Sequence, residues 1–429
     1  MTAHISKPPD APAGGAGQFG AGVFLVVLLG TRVIAGVADN WFATGASEIV
    51  TLALLASLSA MFLWHMTLVK DAGLALAGIF LWLLLAGVSF MVNDVYAPAK
   101  AYQQIALLAL YGLALNQFIL TCADPRMTVL IQRFLIAFIC LGGALSLQQM
   151  ISGGGFSAAG KPMLARAFGT DVHPVSWAMQ IVCALAGVEV IRRAQGARLN
   201  WPLGLVYSLG ACSLYLTYSR TGWAMAAFII IFVTLQDTKG ARRAIWAGLI
   251  GLFFATAAIA SQRFSDLASV TNLLRRYDFS AQSYNHTLID NSFSWRLVNW
   301  NSALQLAGEH LLIGVGPGQS ALLSQFNLKM HNLFLEAFVE AGGPGLCAVV
   351  MIVTGLFTLI ARIPTPTKAQ IKAKSPVVAL GGAMLLAVLL STSLIEQTVT
   401  VLIFFLVIGV AMGGPPAHPD HKGTTAHAD

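Results

Sequence analysis

His331 and Asn332 open an apolar segment that carries Glu336 and Glu340 and then runs into Gly342-Gly343-Pro344-Gly345. A histidine at the start of a helix is held neutral by the positive end of the backbone dipole. In that state it can take a proton from a hydroxyl. The alternative is a rim histidine bonded to headgroups or loop backbone. Glu336 and Glu340 are four residues apart and fall on one helical face. Carboxylates in an apolar segment face a cavity or a partner, or else brace neighbouring helices, and both readings stay open. Neither shares the face of His331, so a simple His–Glu dyad is not expected.

Three arginines extend the chemistry. Tyr218-Ser219-Arg220-Thr221-Gly222-Trp223 forms a tight turn between two short apolar segments. Its Arg220 either snorkels or presents a planar guanidinium fork that suits a phosphate better than lysine does. Arg166 and His173 lie in the Gly-rich stretch Lys161–Ala178. Arg296 and Trp300 are one turn apart where Ser294 can cap a helix over Trp295–Ala307 that Gly308 ends. In that helix Leu297, Trp300, Leu304 and Leu311 mark an apolar stripe, as expected of a helix lying on a membrane surface. Gly314-Val315-Gly316-Pro317-Gly318 is glycine-rich, but no strand precedes it and no Lys-Ser/Thr follows. It reads as a tight turn rather than a nucleotide loop. Arg275 and Arg276 are further basic residues of the same loop, able to touch anionic lipid or an acceptor's phosphates.

The elements that must position these residues are set by composition. The chain has 429 residues, 57% hydrophobic and 10% charged, with a mean hydropathy of +0.74. Soluble proteins carry about 25% charged residues. The fold class is therefore an all-α polytopic membrane protein with about twelve transmembrane helices. They are expected at 19–36, 48–64, 72–91, 102–120, 133–151, 174–191, 202–218, 222–236, 244–260, 332–361, 376–393 and 397–412. This divides the chain into a tail (1–18), helices one to nine (19–260), a long loop with short interfacial helices (261–331), helices ten to twelve (332–412) and a tail (413–429). The first apolar segment lacks a basic run before it and a cleavage-like end, so it reads as a retained span. Lys and Arg concentrate in the tails and alternate short loops, which predicts that both termini are cytoplasmic. Arg166, Arg220 and Arg296 then fall on the outer side with His331. The net charge of +7 fits basic cytoplasmic loops, and no nucleic-acid partner is expected. Five cysteines without paired spacing indicate neither disulfides nor a metal cluster.

Taken in order, the pieces resemble the O-antigen ligase/polymerase family of bacterial inner-membrane glycosyltransferases. They are "RAFG…HP" (Arg166–Pro174), "SRTG" (Ser219–Gly222), "WR…W" (Trp295, Arg296, Trp300) and "GVGPG" (Gly314–Gly318). The last and most specific is "HN..L….E.G..G", met by His331, Asn332, Leu335, Glu340, Gly342 and Gly345. The resemblance covers about 165–345 and departs at Val175, where the family often has Asn. It implies a periplasm-facing, metal-independent, inverting transferase without cofactor, embedded among membrane lipids. The donor would be a glycan on undecaprenyl diphosphate, and the acceptor, in the ligase branch, lipid A–core. In that frame Arg220, Arg166 and Arg296 stabilise the departing diphosphate, His331 is the general base and Asn332 orients it. Trp300, Glu336, Glu340, Arg275, Arg276 and His173 are the expected substrate contacts. The outer loops hold no DxD, so a metal-ion site is not expected.

The long loop after the ninth span resembles the ligase branch. Polymerases of O-antigen or exopolysaccharide, and protein O-oligosaccharyltransferases, share many of the motifs. A twelve-helix secondary transporter is the contrasting class. The nine-to-three division of spans and the lack of half-to-half similarity speak against it.

Overall fold

Short polar or proline-bearing joints cut the apolar chain into helices. The computed structural model describes residues 16–413 except 43–44, 158–164, 172, 238–293 (apart from Gly240, Ile245 and Gly248), 325–328, 366, 391, 394 and 396. The described helices are α1 (Ala16–Phe42), α2 (Ala46–His65), α3 (Gly73–Val92), α4 (Pro98–Thr121), α5 (Pro125–Ile151), α6 (Pro174–Ala194), α7 (Trp201–Leu216) and α8 (Arg220–Asp237). They continue with α9 (Ser294–Glu309), α10 (Ser320–Leu323), α11 (Leu333–Ala361), α12 (Lys368–Leu390) and α13 (Thr398–Gly413). A two-residue antiparallel pair, β1 (Phe156–Ser157) with β2 (Ala165–Arg166), interrupts the helical pattern between α5 and α6.

Local chemistry explains the starts. Proline stands in the first turn of α4, α5, α6 and α7, where its missing N–H costs nothing. Side chains of Asp124, His173, Asn200 and Asn332 accept the first free N–H groups of α5, α6, α7 and α11. The cap at Asp124 starts α5 earlier than the expected 133, because Pro125 and the polar turn after it are helical despite their low hydropathy.

Eight described helices, α1 to α6, α11 and α12, are long and apolar enough to cross a membrane, and α7 and α13 are shorter apolar helices. The chain is accordingly a multi-pass membrane protein. Every expected span coincides with a described helix except 244–260. That span, Arg275, Arg276 and most of both tails lie outside the described residues.

α6 and α13 are buried around nearly their whole circumference and form the centre of the bundle. By contrast α2 buries only Leu54 and Leu58. α3 and α11 approach closely because Gly355 has no side chain: a Cβ there would stand 2.2 Å from the Ala75 nitrogen. Small residues at contacts of this kind let apolar helices pack without a hydrophobic driving force between them.

The expected break at Gly342-Gly343-Pro344-Gly345 is a kink. Gly342 adopts φ 68° and ψ −165°, and the helix continues on either side. Its positive φ suits glycine. A Cβ at Gly342 would also meet the Leu311 carbonyl oxygen at 2.6 Å, and that carbonyl accepts the Gly343 N–H at 2.7 Å.

Cross-connections gather the ends of many helices together. The Asn93 side chain after α3 donates to the Gly314 carbonyl, and Gln319 Oε1 accepts the Tyr96 and Ala97 N–H groups ahead of α4. At the opposite end Arg193 pairs with Asp237 and Glu189, and Arg362 with Asp71.

Candidate active site

The turn after α7 is built from its own hydroxyls. Thr217 Oγ1 donates to the Leu214 carbonyl at 2.7 Å and accepts the Ser219 N–H at 3.1 Å. Ser219 Oγ in turn accepts the Gly222 N–H at 3.3 Å, and Tyr218 sits at φ 46°. α8 therefore begins at once with Arg220, which is exposed.

β2 lies against this turn. The Ala167 N–H donates to the Leu216 carbonyl at 2.9 Å, and Arg166 Nε donates to the Thr217 carbonyl at 2.8 Å. Two arginines distant in sequence are thus attached to one turn. The segment after β2 is clamped by Gln149 of α5. Its Oε1 accepts the Phe168 and Gly169 N–H groups at 2.9 and 3.0 Å, and its Nε2 donates to the Gly169 carbonyl at 3.0 Å.

His173 caps α6, its Nδ1 accepting the Val175 N–H at 3.2 Å. With Nδ1 as acceptor, the neutral ring carries its proton on Nε2, where it can donate. Burial of much of its surroundings, together with the positive charges of Arg166 and Arg296, pushes His173 down to about 4. The residue itself is exposed, so the group is neutral and reachable. Asp171 organises the same loop: its carboxylate accepts the His173 N–H at 3.2 Å and the Gln180 side-chain amide.

α9 brings the third arginine. Burial, and then the charge of Arg220, lower Arg296 to about 10, so it stays charged at neutral pH. Its guanidinium lies 5.7 Å from the Trp295 ring centroid. The Nε is buried and finds no hydrogen-bond partner among the described residues. α9 takes in Ser294, the expected cap, as a helical residue and runs through Gly308 to Glu309. It packs through Ser294, Val298, Ala303 and Ala307, while Leu304 of the expected stripe, and Leu311 just beyond the helix, are exposed on its other side.

α9 also fixes the segment that carries His331. Asn299 Nδ2 donates to the Lys329 carbonyl at 3.2 Å and Trp300 Nε1 donates to the Met330 carbonyl at 2.7 Å. The indole of Trp300 is thereby committed to the backbone. His331 follows at φ 50° and packs edge-on to Trp295, ring centroids 5.3 Å apart.

The expectation that His331 itself starts the helix is corrected: it precedes the cap. The cap is Asn332, whose Oδ1 accepts the Phe334 and Leu335 N–H groups at 3.0 and 3.1 Å. Asn332 Nδ2 donates to the Leu389 carbonyl at 2.8 Å, which ties α11 to α12. These bonds commit its oxygen and one of its two amide hydrogens.

Further along α11 the two glutamates part company. Glu340 accepts from Ser320 Oγ at 2.6 Å through Oε1 and from the Gln104 side chain through Oε2. Its carbonyl receives Ser89 Oγ and the Gly316 N–H, each at 3.1 Å. Glu340 therefore braces α3, α4 and the Gly314–Gly318 turn against α11. Glu336 is also buried, but its Oε2 accepts no hydrogen bond among the described residues.

The charges of Arg166 and Arg296 thus act on His173, and that of Arg220 on Arg296, and His331 adjoins Arg296 through Trp295. Arginines drawn partly out of water repel one another, and an anion with several oxygens, such as a diphosphate, offsets that repulsion. The sequence did not single out Gln149, Asp171 or Lys329. Lys329, lowered chiefly by burial, with Glu336 opposing that shift and Lys100 adding to it, adds a cation close to His331 in the chain. A Gln or Lys inside an apolar stretch was the available signal. Among the described residues no three His, Cys, Asp or Glu side chains are grouped so as to hold a metal ion.

A family model described as O-antigen ligase matches residues 205–350. The matched segment contains Arg220, Arg296, Trp300, His331, Asn332, Glu336 and Glu340; Arg166 and His173 lie ahead of it. No curated protein matches the chain.

Proposed function

We infer that a chain whose residues 205–350 belong to the O-antigen ligase family is a membrane glycosyltransferase. We propose that it moves a glycan from undecaprenyl diphosphate to a hydroxyl of lipid A–core. The observation that carries this reading is the attachment of Arg166 to the turn that leads into Arg220, with His173 within reach of the charges of Arg166 and Arg296, Arg296 within reach of that of Arg220, and His331 alongside on Trp295.

In the proposed reaction the acceptor oxygen attacks the anomeric carbon from the face opposite the diphosphate, and the configuration inverts. The bond from that carbon to the phosphate oxygen breaks, and its electron pair leaves with the lipid diphosphate. The proton of the acceptor hydroxyl passes to His331, which suits a group whose ordinary pKa lies near neutral. Arg220 and Arg296 hold the growing negative charge, and Arg166 and the Nε2–H of His173 complete the cradle. In this reading Lys329, two residues before His331, and Glu336, whose Oε2 is unpartnered among the described residues, contact sugar hydroxyls. The active site opens to the periplasm in the bacterial inner membrane, and both termini are cytoplasmic. Basic residues in the alternate short loops support that orientation.

The test uses the purified full chain with undecaprenyl-diphosphate-linked glycan and lipid A–core, with EDTA present. Glycan on lipid A–core with wild type, and none with folded His331→Ala or Arg220→Ala, is the expected result. Elongated lipid-linked glycan instead would assign the chain to chain extension. Undiminished transfer by His331→Ala would remove His331 as the base.

A further inference from the structure

Arg32 lies inside α1, within a stretch apolar enough to span the membrane. A guanidinium there is costly, and such residues persist where they meet a partner. Its Nε donates to Thr51 Oγ1 of α2 at 2.8 Å. The carboxylates that act on it most strongly are Asp171 and then Asp39. Asp39 is occupied at the start of α2, where its two oxygens accept the Ala46 and Ser47 N–H groups, each at 2.8 Å. Asp171 belongs to the loop between β2 and α6.

Gly36 reports how close the two elements come. A Cβ on Gly36 would stand 3.2 Å from Arg32 Nη1 and 3.5 Å from the Thr170 carbonyl oxygen. The bare face of Gly36 therefore lets the guanidinium and the loop backbone share one small space. Asp171, beside Thr170, accepts the His173 N–H and the Gln180 amide. Upstream, the loop runs through Gly169 and Phe168 to Ala167 and Arg166, which are bonded to Gln149 and the end of α7.

We propose that Arg32 is a positioning residue: from within α1 it holds Asp171 and the Thr170 backbone, and through them the loop that presents Arg166 and His173 to the donor's diphosphate. The donor part of this statement rests on the function proposed above. Arg32 touches neither substrate nor the reacting atoms. Its charge sets where two diphosphate-binding groups stand, so its loss affects donor binding before acceptor binding.

The test compares wild type, Arg32→Gln, Arg32→Lys, Asp171→Asn and the Arg32→Gln/Asp171→Asn double variant in the purified full chain. Hydrogen–deuterium exchange over 165–173 reads the loop directly, and transfer kinetics read KM for donor and acceptor separately. Arg32→Gln is expected to speed exchange in that loop at least tenfold and to raise the donor KM at least fivefold, with the acceptor KM unchanged. Arg32→Lys restores most of both effects, and the double variant is no worse than either single one. Unchanged loop exchange in folded Arg32→Gln, or effects that multiply in the double variant, would overturn the proposal. If wild type transfers no glycan, the functional reading falls and loop exchange alone decides the role of Arg32. Should Arg32→Gln not fold, Gly36→Val carries the same test, because it places a side chain between the guanidinium and the Thr170 carbonyl without altering charge.

Discussion

His331 and Trp295 meet edge-to-face, with ring centroids 5.3 Å apart and planes inclined by 66°. The next residue after Trp295 is Arg296, and the same helix grips the Lys329 and Met330 carbonyls just ahead of His331. α9 therefore carries the proposed base and one of the proposed diphosphate cations as a single unit.

That coupling predicts an order of effects. His331→Ala is expected to lower transfer by about 10²- to 10⁴-fold, the usual scale of general-base catalysis. Trp295→Ala leaves the imidazole in place but unsupported, and an ångström-sized misplacement costs up to about 10²-fold. Trp295→Phe keeps an aromatic edge and stays near wild type. Single-turnover transfer rates check all three, and a Trp295→Ala enzyme at full rate would dissolve the link.

Arg296 combines a partly buried guanidinium, set beside the Trp295 ring, with the nearby charge of Arg220. Lysine offers the charge without the planar fork, so Arg296→Lys should resemble Arg296→Gln more than wild type. A loss of about 10²- to 10³-fold in kcat/KM for the donor is expected from both. Substitution of equal effect at neutral pH and unchanged acceptor KM is the pattern to look for in initial-rate measurements.

His173 links the site to acid stability. Its folded value of about 4 lies below the ordinary 6.5, with burial the larger cause and Arg166 and Arg296 adding to it. Between those values the unfolded chain binds the proton more readily, so the contribution is complete above pH 6.5 and fades as pH falls towards 4. His173→Asn can still accept the Val175 N–H and has no titration in this range. Thermal unfolding from pH 7 to 4.5 should show a steeper loss of Tm in wild type than in His173→Asn. Parallel curves would mean that the ring charges freely in the folded protein.

Asn332 serves two bonding roles that substitution separates. Asn332→Asp keeps an acceptor for the Phe334 and Leu335 N–H groups but gives up the donation to Leu389. Asn332→Ala loses both. Removing a cap of this kind costs about 1 kcal/mol, and the alanine variant is expected to unfold at the lower temperature of the two. Aspartate falling below alanine in Tm would show that a carboxylate facing the Leu389 carbonyl costs more than the retained cap returns.

Much of this architecture is local chemistry written in the chain. Runs of apolar residues long enough for a bilayer, and Asn, Asp and Pro at their starts, determine where the helices lie. The kink at Gly342 follows from a residue free to adopt a positive φ, and the arginines of the polar turns announce themselves because charge is rare elsewhere. These signals need no knowledge of which helix meets which.

Pairwise placement did need it. Nothing near Arg166 in sequence names Thr217 or Gln149, and these partners arrive only when α5 and α7 converge. Asn332 caps α11, which its place in sequence announces, and also ties α11 to Leu389 of α12, which it does not. Glu336 and Glu340 share a helical face, yet Gln104 and Ser320 close on one of them only. Periodicity gives a residue its side of a helix, whereas its partner depends on packing between segments hundreds of residues apart, and that is settled by the tertiary structure alone.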